Sequence, residues 1–385
     1  MSDFKSESRL TFMEATSIIV GHGVGAGILS VPFLASRNSI FDFIWIIVVA
    51  YVINLIEHLM IAELSYNNGG AQFITCLDRE LFIGKLKNFL TWLAFIVLGV
   101  AEIVKVSGFI TGAAAALQSW FGISAIAAMV IYYILVAIVV YAGMKIVGIC
   151  EKISVYAMIG VIGILVVATF LSKTNALPSQ FVSTGNIMAL YSIVAFALSA
   201  VMSVPQVVKG LNGDVKKIRG AIAAGTGINL FLIIIITIIT LIGAGTDITK
   251  NGALVDLSAH LGGWVSIIGY LFTLLALSTS FWACTLNLRD IISEKTSLNI
   301  KLCWLIATLP CLLLALTGSS FVTLTRISSA ASVLLGIAVI LAYSKSRKKS
   351  GNLSPICGKF GSLPFQIIVV LSTLIATIGS LISVK

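Results

Sequence analysis

Charge is scarce in this sequence. Of its 385 residues only 10% are Asp, Glu, Lys or Arg, against roughly 25% in soluble domains. A water-facing surface needs about 25–35% charged side chains, so a soluble globular protein is excluded. A disordered chain is excluded by the opposite excess: 58% of the residues are hydrophobic and the mean hydropathy is +1.08. Histidine occurs three times and proline six times. The six cysteines (Cys76, Cys150, Cys284, Cys303, Cys311 and Cys357) form no CxxC pair and mostly sit inside apolar runs. They read as small core residues rather than as metal ligands or disulfides. HExxH, GxSxG and paired catalytic carboxylates are all missing, which argues against a membrane enzyme. Most of such a surface must be solvated by lipid.

What the chain does have is apolar runs long enough to cross a bilayer, which takes about 20 residues each. Eleven lie at approximately 12–36, 43–66, 89–118, 125–143, 150–172, 187–208, 219–243, 264–288, 301–317, 322–343 and 364–383. The first is no signal peptide, because it is long, carries Glu14 and is interrupted by glycines and Pro32. With the N-terminus in the cytoplasm, the outer segments hold only Arg37, Lys173, Lys250, Arg326 and Lys385. Lys105 lies inside a run, and the remaining nineteen of the 25 basic residues face inward. This is the positive-inside pattern. It places the C-terminus outside the cell, and it makes the net charge of +10 a topology signal with anionic lipid as its contact rather than nucleic acid. The fold class is therefore an all-α integral membrane protein, a single domain of eleven transmembrane helices in the plasma membrane.

Two runs are interrupted. The first contains Gly21, Gly23, Gly25 and Gly27, four glycines in seven residues, each costing about 0.5–1 kcal/mol relative to alanine in a helix. Such a segment is either unwound to expose backbone groups or packed tightly through small residues, and broken backbone at membrane depth must be buried or line a cavity. The sixth run has its own breaker, Pro205, after Ala197–Ser199. The first and sixth runs correspond if runs 1–5 (about 12–172) and 6–10 (about 187–343) are two repeats. An odd number of spans inverts the second, leaving 364–383 as an extra helix. Paired breaks in inverted halves point to a transporter site at the midplane.

Four stretches then carry a resemblance: Val24-Gly25-Ala26-Gly27-Ile28-Leu29 with Pro32; Ala62-Glu63-Leu64 with Gly69-Gly70; Val204 through Ile222; and Leu277-Ser278-Thr279-Ser280-Phe281. They resemble amino acid permeases of the amino acid–polyamine–organocation superfamily, in particular the aromatic and hydroxy amino acid permeases. The resemblance implies the LeuT-type inverted-repeat fold and import of a neutral amino acid, aromatic or hydroxylated, with sodium or a proton. By position, the backbone at Ala26, Gly27 and Ile28 would receive the substrate carboxylate, with Gly25 at the break. Carbonyls near Gly21, His22 and Gly23, and near Phe196, Ala197 and Leu198 beside Ser199, would receive the amino group. Phe196 would flank the side chain or else face lipid. An ion site would use Gly21, Val24, Ala276, Thr279 and Ser280, whose oxygens suit sodium. The alternative is that the two hydroxyls bond back to their own helix. Some relatives place a lysine on the fifth helix at this point, and Ile153–Leu171 contains none.

Charges within the runs are the other candidates. Glu102 and Lys105, three apart on one helix face, are either a coupling pair or a structural ion pair. Glu57 is expected to accept hydrogen bonds from unwound backbone, His58 to be a satisfied polar residue, and His22 a gate or a packed polar group. Glu63 and Arg289 are expected at the interface or as gates. Residues 67–88 suit a short amphipathic helix, and 244–263 a long outer loop. A competing function is a nutrient receptor on a permease fold, which binds an amino acid without net transport.

Overall fold

The computed structural model describes residues 9–172, 174–179, 183–245, 248–249, 253–319, 321–351, 353–382 and 384, with backbone alone at 26, 253, 255, 259 and 321–334. Lys5, Lys173, Lys250 and Lys385 therefore lie outside the described residues, as do 246–247 and 250–252 of the expected outer loop. Among the described residues there are helices and no strands. In chain order they are α1 (Phe12–Val24), α2 (Ala26–Ser36), α3 (Ile40–Asn67), α4 (Phe73–Glu80), α5 (Lys87–Phe121), α6 (Ala125–Tyr141), α7 (Met144–Phe170) and α8 (Thr184–Leu198). A 3₁₀ turn (Val201–Ser203) precedes α9 (Val204–Gly210), followed by α10 (Val215–Ala244), α11 (Ala253–Leu261), α12 (Trp264–Thr296), α13 (Ile300–Ala315), α14 (Phe321–Lys349) and α15 (Leu363–Leu381).

Every apolar run of the sequence falls on one of these helices or on a broken set. Among the described residues seven helices are long and apolar enough to cross a membrane, with α8 through α9 (Thr184–Gly210) taken as one, and α1 with α2 makes an eighth when the bent pair is taken as one span. The helices α6 and α13 are apolar but shorter, at 17 and 16 residues. The helix ends are fixed by local chemistry. Thr11 and Glu14 form a reciprocal capping box at the start of α1, and Glu14 is also bound by Lys145 at 2.6 Å. Ser39, Ser124 and Ser183 cap α3, α6 and α8 through their hydroxyls.

Two expectations for the loops are refined. The amphipathic segment is helical over Phe73–Glu80, with Phe73, Ile74, Cys76 and Leu77 buried. The expected outer loop instead contains α11, because Leu254 and Leu257 bury themselves against the bundle. All six cysteines are free thiols, and all but Cys150 are buried.

The interior inverts the arrangement of a soluble protein. Ile126, Leu135 and Ile138 on α6 and Ile153, Ile164 and Val167 on α7 point outward. Glu151, Asn229, Thr279 and Asn287 are fully buried. That distribution suits a lipid surround. The breaks in α1/α2 and α8/α9 lie against each other, with α3, α7, α10 and α12 packed around them.

Candidate substrate and ion site

The chain bends by 48° between α1 and α2. Gly25 at the bend (φ −42°, ψ −142°) ends one helix and starts the next, with no side-chain cap on α2. The first N–H groups of α2, at Ala26, Gly27 and Ile28, thus lack intrahelical partners and form the positive end of a helix dipole. Each glycine of the motif also meets a neighbour where its Cβ would be. At Gly21 the Glu151 carboxylate fills that space, at Gly23 the Asn229 amide, at Gly25 the Ser280 hydroxyl, and at Gly27 the backbone and Cβ of Ala197. Breakage and tight packing, alternatives in the sequence, are therefore both present.

The second break is built differently. Helix α8 ends at Leu198, Ser199 is extended (φ −79°, ψ 120°), and the 3₁₀ turn leads into α9. Pro205 sits in the first turn of α9, where its missing N–H costs nothing, so the break lies upstream of it. The imidazole of His58 (α3) accepts the Ala200 N–H at 2.8 Å through Nε2. Its Nδ1 must then donate to the Asn54 carbonyl, 2.5 Å away. The partner of the unwound backbone is thus His58 and not Glu57, because their side chains project about 100° apart on the helix. Asn287 (α12) donates to the Met202 carbonyl at 2.7 Å. His22 joins the two breaks, with its Nδ1 2.7 Å from the Ser203 hydroxyl and its Nε2 3.7 Å from the Cys284 sulfur.

A cavity of about 250 Å³ lies at the breaks. His22, Gly23, Gly25, Gly27, Phe196 and Ser199 line it, as do the charged candidates Glu57, Glu102 and Lys105. Gly21, Ile28, Ala197 and Leu198 do not line it. Gly21 turns toward α7 and α12, and the other three side chains are fully buried in packing. The Ala26 side chain lies outside the description. Phe196 is 40% exposed and still borders the cavity. Much of the remaining wall is apolar: Ile61, Phe73, Leu98, Phe109 and Met202. The Glu102 and Lys105 side chains pair at 2.7 Å, and the second Glu102 oxygen has no partner among the described residues. Helix α15 is no bystander, because Ser372, Thr373 and Thr377 face the same cavity.

Behind the cavity is a cluster of oxygens. The Thr279 hydroxyl donates to the Gly21 carbonyl at 2.9 Å and lies equally close to the Ala276 carbonyl. The Ser280 hydroxyl is 3.4 Å from the Gly21 carbonyl. Four of the five residues expected to form an ion site are brought together, and Val24 is fully buried on the same helix. The hydroxyls therefore reach across to α1, and Thr279 also bonds back to its own helix. Sequence reasoning missed Glu151, which joins this cluster. The signal was its phase: Gly148, Glu151, Val155, Met158, Ile162 and Leu165 form the buried stripe of α7.

Glu63 and Arg289 are both buried and internally bonded. Glu63 accepts hydrogen bonds from the Tyr343 hydroxyl, the Ser354 hydroxyl and the N–H groups of Ile356 and Cys357. Arg289 pairs with Asp290 at 2.7 Å and donates to the Val140 carbonyl.

This geometry, two broken helices around one cavity, accompanies a match to the tryptophan/tyrosine permease family over residues 8–379. The chain belongs to the tryptophan/tyrosine permease family. Its fold is similar to that of MhsT, solved in complex with L-phenylalanine. The TM-score is 0.75 at 14% identity, covering 98% of this chain and all of that one. It is also similar to a manganese transporter of Eremococcus coleocola, with TM-score 0.64 at 15% identity, covering 100% of this chain and 90% of that one. A sequence comparison with curated proteins finds no match. This permease is thus a multi-pass membrane protein of LeuT-like fold, a transporter of amino acids and not an enzyme.

Proposed function

We propose that this permease imports a neutral amino acid with an aromatic or hydroxylated side chain across the plasma membrane, driven by a sodium or proton gradient. The observation that carries the reading is the meeting of the two breaks at one cavity, with the unpaired N–H groups of α2 at its edge. A carboxylate is suited to that helix end. Phe196, Phe109, Met202 and Ile61 supply an apolar surround for a large side chain, and the L-phenylalanine in the MhsT complex is in keeping with it. Glu102 and Lys105 offset each other's charge, so that pair leaves the wall it occupies open to a zwitterion with a neutral side chain. Glu57, Glu102 and Lys105 are the cavity charges available for coupling, and the oxygens of Gly21, Ala276, Thr279 and Ser280 are those available for an ion.

The arrangement we propose has eleven spans, the N-terminus in the cytoplasm and the C-terminus outside. Residues 12–172 and 187–343 form inverted repeats, and 364–383 is the extra helix. Alternating access would rock α1–α3 and α8–α10 against a scaffold including α5 and α12. The test is uptake of labelled tryptophan, tyrosine, phenylalanine, serine and threonine into proteoliposomes, with sodium and pH gradients imposed separately. Gradient-driven accumulation of one class is expected. Binding without accumulation under either gradient would overturn transport in favour of a receptor.

A further inference from the structure

Glu57 is the cavity charge that the two breaks leave unused. It lies on the face of α3 that also turns Asn54 and Ile61 to the cavity, at i, i+3 and i+7. Its side chain is only partly buried and makes no hydrogen bond or ion pair among the described residues. The neighbouring His58 is engaged at the second break. Lys105, the ammonium group in the same cavity, is already paired with Glu102. Tyr191 of α8 lies within electrostatic reach of Glu57, and its hydroxyl is bonded to Ser372 of α15. Glu57 therefore sits toward the place where α8 meets α15.

That place is a lobe of the cavity walled by α3, α8, α14 and α15, which pack on one another. Its polar wall offers acceptors. Thr373, Thr377 and Ser380 of α15 spend their O–H groups on the carbonyls of Val369, Thr373 and Thr377, so lone pairs are left for the lobe. The Asn54 amide likewise donates to the Ala50 carbonyl. The rest of the wall is apolar: Leu335, Val339, Ala376 and Phe196. A carboxylate without a counter-charge is costly inside a membrane, and a cation would offset it. A bare metal ion takes a shell of oxygens, which the apolar part of this wall cannot supply. An ammonium group on an apolar body uses both parts. Its N–H donors suit Glu57 and the hydroxyl oxygens, its body suits the aliphatic residues, and Phe196 adds a ring of the kind that attracts a cation. An amino acid zwitterion matches the lobe poorly, because its carboxylate would be repelled by that of Glu57.

We propose that this lobe is a second ligand site, for an amine that carries an apolar body and no carboxylate, with Glu57 as its anionic contact. The two ends of the cavity then sort ligands by charge. The unpaired N–H groups of α2 suit a carboxylate, and Glu57 suits an ammonium group. In the rocking motion proposed above, α3 and α8 belong to the moving set and α14 and α15 do not. An amine in the lobe bridges the two sets and holds the permease in one state. Inhibition by the amine rests on the transport reading, whereas its binding does not.

The test uses the full-length protein in detergent. Thermal unfolding is followed against increasing tyramine, and against 4-ethylphenol, which has the same body without the ammonium group. The proteins are the wild type, Glu57→Gln and Ala376→Leu, the last adding volume to the lobe without touching its charge. Tyramine should stabilise the wild type and 4-ethylphenol should not. Glu57→Gln should need at least about tenfold more tyramine for the same shift, and Ala376→Leu should be weakened too. The unfolding temperature without ligand shows that each variant is folded. No tyramine response in the wild type, an equal response to 4-ethylphenol, or a wild-type response in either variant overturns the proposal. Uptake of labelled tryptophan into proteoliposomes separates the two readings. Tyramine should inhibit it in the wild type and at least about tenfold less potently in Glu57→Gln. Tryptophan accumulation with no tyramine shift sinks the amine site and keeps the transporter. A tyramine shift lost in Glu57→Gln, in a protein that accumulates no amino acid, keeps the site and sinks the transporter.

Discussion

The break between α1 and α2 is made by leaving side chains out, whereas the one between α8 and α9 is made by bringing hydrogen-bond partners in. At the first, four glycines admit Glu151, Asn229, Ser280 and Ala197 into the space their side chains would take. At the second, where residues 197–204 contain no glycine, His58 takes the Ala200 N–H and Asn287 binds the Met202 carbonyl. The difference teaches that an unwound membrane segment needs either close neighbours or external partners. It also says where each break is vulnerable: the first to added volume, the second to lost polarity.

The sharpest way to break the comparison is Gly27→Val. Its Cβ would lie 2.6 Å from the Ala197 Cα and 3.0 Å from its nitrogen, backbone that cannot rotate away. A loss of about 3 kcal/mol is expected, at the upper end for overpacking, together with loss of uptake. Thermal unfolding and proteoliposome transport would show it, and a stable, active variant would mean the breaks are not in contact. Next is His58→Leu, which leaves the Ala200 N–H unpaired and should cost about 2 kcal/mol, as a buried unsatisfied donor does. Adding volume at the second break should matter less than this loss.

Gly23→Ala sharpens the contrast from the other side. It meets the Asn229 amide, a side chain, so about 1 kcal/mol of strain is expected, relieved in part by Asn229→Ala. A double-mutant cycle should show coupling of at least about 0.5 kcal/mol. Additivity would place the strain elsewhere. The smallest effect belongs to Ser203→Ala, which removes the partner of His22. A half-buried imidazole at the cavity wall can turn to water, so about 0.5–1 kcal/mol is expected, read by the same unfolding assay.

Much of this architecture was legible in the sequence because a bilayer imposes one strong rule, long apolar runs punctuated by charge. The glycine break was legible because glycines in a span are conspicuous, and Thr279 and Ser280 were reached only through the family resemblance. Glu151 was not legible, since one residue separates a helix's inward face from its outward one. The backbone partner was expected at Glu57 and lies at His58, one residue and about 100° around the helix away. The contribution of α15 to the cavity and the helix α11 depend on packing between distant segments, which no local pattern encodes.

The carboxylate of Glu63, bound by four donors from α14 and from the turn at 354–357, works on α3 as a pin works on a lever. Breaking all four bonds at once is costly, so in the alternating access proposed above α3 would swing about this end rather than slide past it. Ile40 lies roughly 35 Å along the helix from the pin, and a tilt of about 5° carries it about 3 Å. A small rotation at a fixed fulcrum would thereby be geared into a displacement the width of a water molecule at the opposite mouth of the bundle.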